Sequence, residues 1–115
     1  LKTNGKIIIE VPNVNDFQLS TNSEYKKFYW QRAHIHYFNP LSLKKVIKNN
    51  SLKVRIVGVQ RYSIENMFNW KLTKKPQMNT PTFSLPKEYY WLEQSYKNYL
   101  TKNLICDTII AIVSK

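Results

Sequence analysis

The feature that most constrains the fold is a short apolar run near the start of the sequence. Residues 6–11, KIIIEV, are entered through Asn4 and Gly5 and stopped by Pro12 and Asn13. A β-branched run between turn signals predicts a buried strand, of the kind found inside a parallel sheet. Such a strand needs neighbours on both sides, yet the rest of the sequence offers only two more convincing strands. We therefore expect residues 1–115 to be a single partial domain, cut in front of a later strand of a larger α/β sheet.

Two further segments predict strands. Residues 52–62 alternate apolar and charged side chains, which is typical of a strand exposed on one face. Residues 104–113, LICDTIIAIV, are almost continuously apolar and predict a strand in the middle of the sheet. Asp107 interrupts this run, and a carboxylate there must be paired or lie near a strand end.

Helices are predicted between these strands. Residues 24–33 form one candidate, capped by Ser23, with the aromatic side chains of its first turns on one face. Asn39 and Pro40 open a better one, whose apolar stripe is expected to include Val46. Further helices are predicted over residues 63–71 and 86–102, with loops over residues 13–22 and 72–86. A strand, a helix and a strand in succession indicate a right-handed crossover.

The net charge of +11 comes from 18 Lys and Arg against 7 Asp and Glu, which suits an anionic partner. However, 15 of the 18 are lysines scattered along the chain, and arginine is the residue expected where phosphates or bases are gripped. We therefore expect a solvated basic surface and not a nucleic-acid partner. A stand-alone basic α/β module that binds nucleic acid or another protein stays open as the alternative.

Several classes of site and compartment are not expected. A single cysteine, Cys106, excludes an internal disulfide and a cysteine-built zinc site. His34 and His36 have no third ligand cluster near them in sequence, so no metal site is expected. No run reaches the roughly 18 apolar residues of a membrane span, and no basic-then-apolar leader opens the sequence. We expect a cytoplasmic protein without a membrane partner.

Three local patterns follow one another along the chain: LKTNGKIIIEVPN, AHIHYFNPLSLKKVIKNNSLKV and VQRYSIENMFNW, before a closing DTIIAIVSK. In this order they resemble the C-terminal half of class I S-adenosylmethionine-dependent methyltransferases. The first is similar to the segment of that family at its fifth strand, with Thr3 and Asn4 in place of the commoner Pro and Gly. The second is similar to the segment that leads into the crossover helix, and the third to a segment of a bacterial branch of this group.

The resemblance implies a fold and an activity. The fold would be α/β, the C-terminal part of a Rossmann-like methyltransferase sheet, with strands in the order 5-7-6 and the last strand antiparallel. A longer parent protein would transfer a methyl group from S-adenosylmethionine to a small acceptor, a sugar or glycan intermediate being one candidate. The cofactor site of this family lies on its first half, in a glycine-rich turn that Gly5 and Gly58 alone cannot provide. We expect no cofactor-binding residue in this chain and no activity from it alone.

The resemblance also implies site residues. It puts His34 before the crossover helix, facing the acceptor, as a general base or an orienting group, with a structural histidine as the alternative. Asn13 follows the carboxyl end of the first strand, where α/β sheets bind ligands, although it could equally form an Asx turn. The amide, guanidinium and phenol groups after the second strand suit a polyhydroxylated acceptor, with helix capping as the alternative. The predicted acceptor-binding residues are Asn13, Tyr37, Gln60, Arg61, Tyr62 and Asn66.

The first strand also predicts a mode of association. Without the preceding four strands, residues 6–11 would present an unpaired apolar edge. Such an edge favours self-association or strand exchange. The expected partners are therefore a small-molecule acceptor and a second copy of the chain.

Overall fold

A computed structural model describes residues 1–2, 4–30, 34–48, 51–76 and 83–115. These residues form an α/β structure with an open three-stranded sheet and five α-helices. The strands are β1 (Lys6–Pro12), β2 (Lys53–Val59) and β3 (Thr108–Ser114). The helices are α1 (Phe17–Thr21), α2 (Ser23–Tyr29), α3 (Pro40–Ile47), α4 (Ile64–Thr73) and α5 (Tyr90–Lys102), the last preceded by a 3₁₀ turn over Lys87–Tyr89. None of the helices within these ranges is long and apolar enough to cross a bilayer.

The last strand lies in the middle of the sheet. The strand order is β1-β3-β2, and β3 is antiparallel to both neighbours, as predicted. Ala111 is opposite Ile9 of β1 on one side and Ile56 of β2 on the other. β3 begins at Thr108, not at residue 104, because Leu104 has a φ of 53° and its backbone turns there. Asp107 therefore lies at the amino end of β3.

One face of the sheet carries the main core. Side chains alternate between the two faces of β3, so that Ile109, Ala111 and Val113 are buried on the same side. Leu43 of α3 and Leu100 of α5 are buried in the same cluster. On the opposite face of the sheet, Ile8 of β1 is 68% exposed, and Ile7, which lies on the core face opposite Val113, is 45% exposed. The prediction of a buried strand inside a parallel sheet was therefore wrong for β1, which is an antiparallel edge strand without a buried residue. The edge that β1 presents away from β3 has no paired strand among the described residues.

The N-terminal helices differ from the prediction. α1 lies inside the segment predicted to be a loop, because the Asp16 carboxylate accepts a hydrogen bond from the Gln18 N–H and caps it. The cap of α2 is Asn22, not Ser23. Trp30 has an extended backbone, so α2 ends at Tyr29, and residues 31–33 of the predicted helix lie outside the described residues.

α3 and α4 begin where the sequence predicts, whereas α5 begins at Tyr90, after the 3₁₀ turn, and not at Pro86. Asn39 and Ser42 form a reciprocal capping box at the start of α3, and Pro40 occupies the first turn. Ser63 accepts a hydrogen bond from the backbone N–H of Asn66 and caps α4. The predicted stripe of α3 was wrong at one position, since Val46 is 72% exposed.

Candidate functional site

A pocket of about 140 Å³ lies where β1 and β2 end and β3 begins. Pro12 of β1, Asp107 and Thr108 line its floor, and Tyr62 approaches from the segment after β2. The remaining lining residues are Tyr25, Phe28 and Tyr29 of α2, and His34. We call this cavity the carboxyl-end pocket, since it opens at the carboxyl ends of β1 and β2.

Asp107 is the anionic group of the pocket and organises the turn after β2. Its buried carboxylate accepts hydrogen bonds from the backbone N–H groups of Arg61 (3.0 and 2.9 Å) and Tyr62 (2.9 Å). Its own N–H donates to the side-chain oxygen of Gln60 (3.0 Å), whose amide donates to the Tyr62 carbonyl (3.0 Å). These bonds satisfy the polar groups of the turn and fix the orientation of the carboxylate.

A second buried carboxylate, that of Asp16, lies behind the aromatic wall of the pocket. It accepts hydrogen bonds from the Gln18 N–H (2.9 Å) and from the hydroxyl of Tyr25 (2.6 Å). Burial raises the pKa of Asp16 to about 6, although the two hydrogen bonds favour its charged form. Burial, together with the charge of Asp16, raises the pKa of the Tyr25 phenol, so Tyr25 stays protonated and donates.

Neither buried carboxylate is paired with a basic side chain in the part of the chain that the structure describes. The ion pairs there are Lys27 with Glu24, Arg61 with Glu10, and Lys97 with Glu93. All three join side chains that are at least partly exposed, where such pairs add little stability. Within the described residues, the contacts that orient the two carboxylates are therefore hydrogen bonds from backbone N–H groups and from the Tyr25 hydroxyl.

Aromatic rings from α2 form the wall of the pocket. Tyr25 packs edge-to-face on Trp70 of α4 at a centroid distance of 5.5 Å, and Phe28 lies 5.3 Å from the same ring. Tyr29 lies 6.2 Å from Tyr25. Tyr29 is 9% exposed, and its hydroxyl has no hydrogen-bond partner among the described residues.

His34 and Tyr62 are the two predicted site residues that line the pocket. The segment that carries His34 is attached to the sheet, since the N–H of Val14 donates to the Phe38 carbonyl (3.0 Å). The His34 ring is exposed and packs edge-to-face on Tyr37 at 5.8 Å. Tyr37 supports the pocket from behind, because its hydroxyl donates to the carbonyl of Tyr29 (3.3 Å) and its ring contacts Tyr29.

The other predicted acceptor-binding residues are not among the lining residues. Asn13 is fully buried and its amide donates to the carbonyls of Leu104 (2.9 Å) and Cys106 (2.8 Å), which ties the end of β1 to the segment before β3. Asn66 is buried in the first turn of α4. Gln60 holds Asp107, as described above, and the Arg61 guanidinium binds Glu10 through both of its carboxylate oxygens.

Sequence reasoning missed most of the wall of the pocket. Tyr25, Phe28 and Tyr29 share one helical face, and this spacing was interpreted only as a packing face. Asp16 lies in a segment that was predicted to be a loop, although aspartate is a preferred residue at a helix N-cap. Asp107 was recognised as an unusual carboxylate without being placed in a site.

The described residues contain no group of three His, Cys, Asp or Glu side chains that could hold a metal ion. Comparison of the chain with protein-family profiles, with curated proteins and with solved structures finds no match.

Proposed function

We propose that this chain is the acceptor-side part of a class I S-adenosylmethionine-dependent methyltransferase that acts on a small molecule. The observation that carries the proposal is the strand order, in which β3 lies antiparallel between β1 and β2. This is the 5-7-6 order that the sequence resemblance implies for the last three strands of a Rossmann-like methyltransferase sheet. Because consecutive strands are neighbours more often than not, a last strand inserted between the two earlier ones is a restrictive feature.

The location of the carboxyl-end pocket supports the same proposal. Ligands of open α/β sheets bind outside the carboxyl ends of the strands, and this pocket lies where β1 and β2 end. His34 lines the pocket and is exposed, so its imidazole can reach a bound molecule. In the proposed enzyme His34 takes the proton of the acceptor or orients the acceptor, while the pocket walls hold the reacting atom in place.

The residues of this chain do not fit S-adenosylmethionine. The chain has two glycines, Gly5 and Gly58, which are too few for the glycine-rich turn that binds such a cofactor. A Cβ atom on Gly58 would lie 2.7 Å from the Cys106 Sγ and 2.8 Å from the carbonyl oxygen of Thr101 in α5. The space next to Gly58 is therefore already occupied by the protein itself. The proposal therefore assigns the cofactor site to further strands that pair with the free edge of β1, and we derive no transfer step from this chain alone.

The proposal is tested by measuring the binding of S-adenosylmethionine by calorimetry. The titration is made on this chain and on the complete product of the reading frame that encodes it. We expect binding by the complete product and no heat of binding with this chain. Tight binding by this chain would refute the assignment of the cofactor site, and a complete product that does not bind the cofactor would refute the proposed function.

A second candidate, an interaction module that associates with itself, is favoured by the exposed edge of β1. An antiparallel pairing of two β1 strands centred on Ile8 would place Lys6 opposite Glu10 of the second copy. Opposite charges directly across a pair of strands are favourable. Ile8 is 68% exposed, so such a pairing would also cover apolar surface. Light scattering of this chain distinguishes a dimer from a monomer.

A further inference from the structure

We propose that the free edge of β2 binds an extended acidic peptide, which adds to the sheet as a further strand. The peptide would lie in a groove between β2 and α5, which we call the β2 groove. The inference does not rest on the proposed function. It is compatible with that function, because the further strands of the proposed enzyme pair with β1, at the opposite edge of the sheet.

The first argument is the topology of the sheet. In the order β1-β3-β2, one side of β2 pairs with β3, and its other side has no paired strand among the described residues. Every second residue of such an edge strand points its N–H and C=O groups away from the sheet. An added peptide strand can form hydrogen bonds with these groups, as β3 does on the other side of β2.

The second argument is the position of the β2 groove. Its volume is about 660 Å³, and four consecutive residues of β2, residues 55–58, line one wall. Successive side chains of a strand point to opposite faces, so a cavity that touches all four residues lies alongside the strand and not over one face of the sheet. The other wall is formed by α5 and the turn after it, through Asn98, Thr101, Lys102 and Leu104.

The length of the β2 groove suits a short peptide. At about 3.3 Å per residue, the wall formed by residues 55–58 extends over about 13 Å. A strand of about four to five residues covers this distance. The peptide would therefore be held by backbone hydrogen bonds along β2, with its side chains pointing alternately toward the two faces of the sheet.

The third argument is the charge of the β2 groove. Arg55 and Lys102 line it, and Lys53 lies two residues from Arg55, on the same face of β2. All seven acidic residues of the chain lie within the described ranges, and none of them forms an ion pair with these three side chains. The three cations are therefore available to an acidic partner.

The charges favour a foreign acidic peptide over a second copy of the chain. A second copy would bring its own net charge of +11, and its β2 would bring Lys53 and Arg55 to the same groove. In an added peptide strand, side chains two residues apart share a face. Glutamates at two such positions would lie across from Lys53 and Arg55, and opposite charges directly across two strands are favourable.

The experiment is an NMR titration of the ¹⁵N-labelled chain with three blocked peptides, at neutral pH and low ionic strength. The first peptide, TVEVEVT, carries two glutamates on one face of a strand. The second, TVQVQVT, has glutamine in both places. The third, TVEPEVT, keeps the charges but has proline at its centre, which cannot donate a backbone hydrogen bond and interrupts a strand. The third peptide therefore separates strand addition from the attraction of charges alone.

We expect TVEVEVT to shift the amide signals of residues 55–58 saturably and to leave the signals of β1 unchanged. Its dissociation constant should be at least about fivefold lower than that of TVQVQVT, because an exposed ion pair contributes up to about this factor. TVEPEVT should produce no saturable shift. In the complex with TVEVEVT, the N–H groups at the free edge of β2 should exchange with solvent more slowly.

One variant and one matched control test the named charge. Arg55→Gln should weaken the binding of TVEVEVT about three- to fivefold and leave that of TVQVQVT unchanged. Arg55 is exposed and forms no ion pair within the described residues, so the fold is retained. Lys26→Gln removes the same charge from α2, outside the β2 groove, and should leave both affinities unchanged.

Any of five results would overturn the proposal. They are no shift of residues 55–58 with TVEVEVT, equal affinity for TVEVEVT and TVQVQVT, saturable binding of TVEPEVT, wild-type affinity in Arg55→Gln, and a concentration-dependent shift of the same signals without peptide. The last result would make a second copy of the chain the occupant of the edge. No methyl donor is present in these titrations, so their outcome leaves the proposed methyl transfer standing.

Discussion

Replacing Asp16 with asparagine tests the electrostatics behind the pocket. The Asp16 carboxylate is 3% exposed, and burial raises its pKa from the ordinary 3.8 to about 6. A pKa that is higher in the folded state means that the folded state favours the neutral carboxyl, so the charged form destabilises the fold. A shift of about two units corresponds to about 3 kcal/mol, at 1.36 kcal/mol per unit.

The sign of the pH dependence follows from this shift. Above about pH 6 the carboxyl is ionised in both states, and the folded state bears the whole cost. As the pH falls from about 6 to about 3.8, the folded state takes up the proton first, so the stability contributed by Asp16 increases. Asparagine cannot ionise, and it caps helices about as well as aspartate. Its side-chain oxygen can still accept the hydrogen bond from the Gln18 N–H.

We therefore expect Asp16→Asn to be more stable than the wild type by about 1 to 3 kcal/mol above about pH 7, with the difference vanishing near pH 4. The assay is urea unfolding followed by tryptophan fluorescence across this range. Glu24→Gln is the control, because Glu24 is a partly exposed acid on α2 whose loss should change stability little. A difference that does not depend on pH, or a variant less stable than the wild type at neutral pH, would refute the reasoning.

The remaining predictions concern three other positions. Gly58→Ala should destabilise the chain by about 1 to 3 kcal/mol in urea unfolding, because its Cβ would lie 2.7 Å from the Cys106 Sγ and 2.8 Å from the Thr101 carbonyl; an unchanged midpoint would contradict this packing. In the complete protein, His34→Ala should lower turnover about 10²- to 10⁴-fold without changing cofactor affinity; unchanged turnover with a lower melting temperature would end the catalytic role. Ile8→Lys should reduce any self-association seen by light scattering, and an undiminished dimer would exclude the β1 edge.

The fold was predictable where the local signal and the tertiary environment agree. The β-branched runs of β1 and β3 and the caps at Asn39 and Ser63 depend on neighbouring residues, and the structure confirms a strand or a cap at each place. The prediction that β1 is buried in a parallel sheet was wrong, because β1 lies at the edge and pairs antiparallel with β3. The boundaries failed where one residue changes the backbone. Leu104 adopts a positive φ inside an apolar run, so the start of β3 could not be read from hydrophobicity.

The candidate site was less predictable because it depends on contacts that are distant in sequence. The Asp107 carboxylate accepts hydrogen bonds from N–H groups 45 and 46 residues away in sequence. The residues around Asp107 contain no pattern that would predict these partners. The sequence resemblance brought His34 and Tyr62 to attention, and both line the pocket. The Asn13 amide could bind an acceptor by its chemistry, but its N–H groups already donate to the backbone carbonyls of Leu104 and Cys106. These contacts are distant in sequence and are seen only in the folded structure.

The measurement that tests the central claim most directly is the transfer of a labelled methyl group. The complete product of the reading frame is incubated with methyl-labelled S-adenosylmethionine and the low-molecular-weight fraction of a cell extract, in parallel with this chain alone. We predict that label enters a small molecule only in the first reaction, because the proposed acceptor pocket lies in this chain and the proposed cofactor site does not. Transfer by this chain alone, or no transfer by the complete product, would contradict the account.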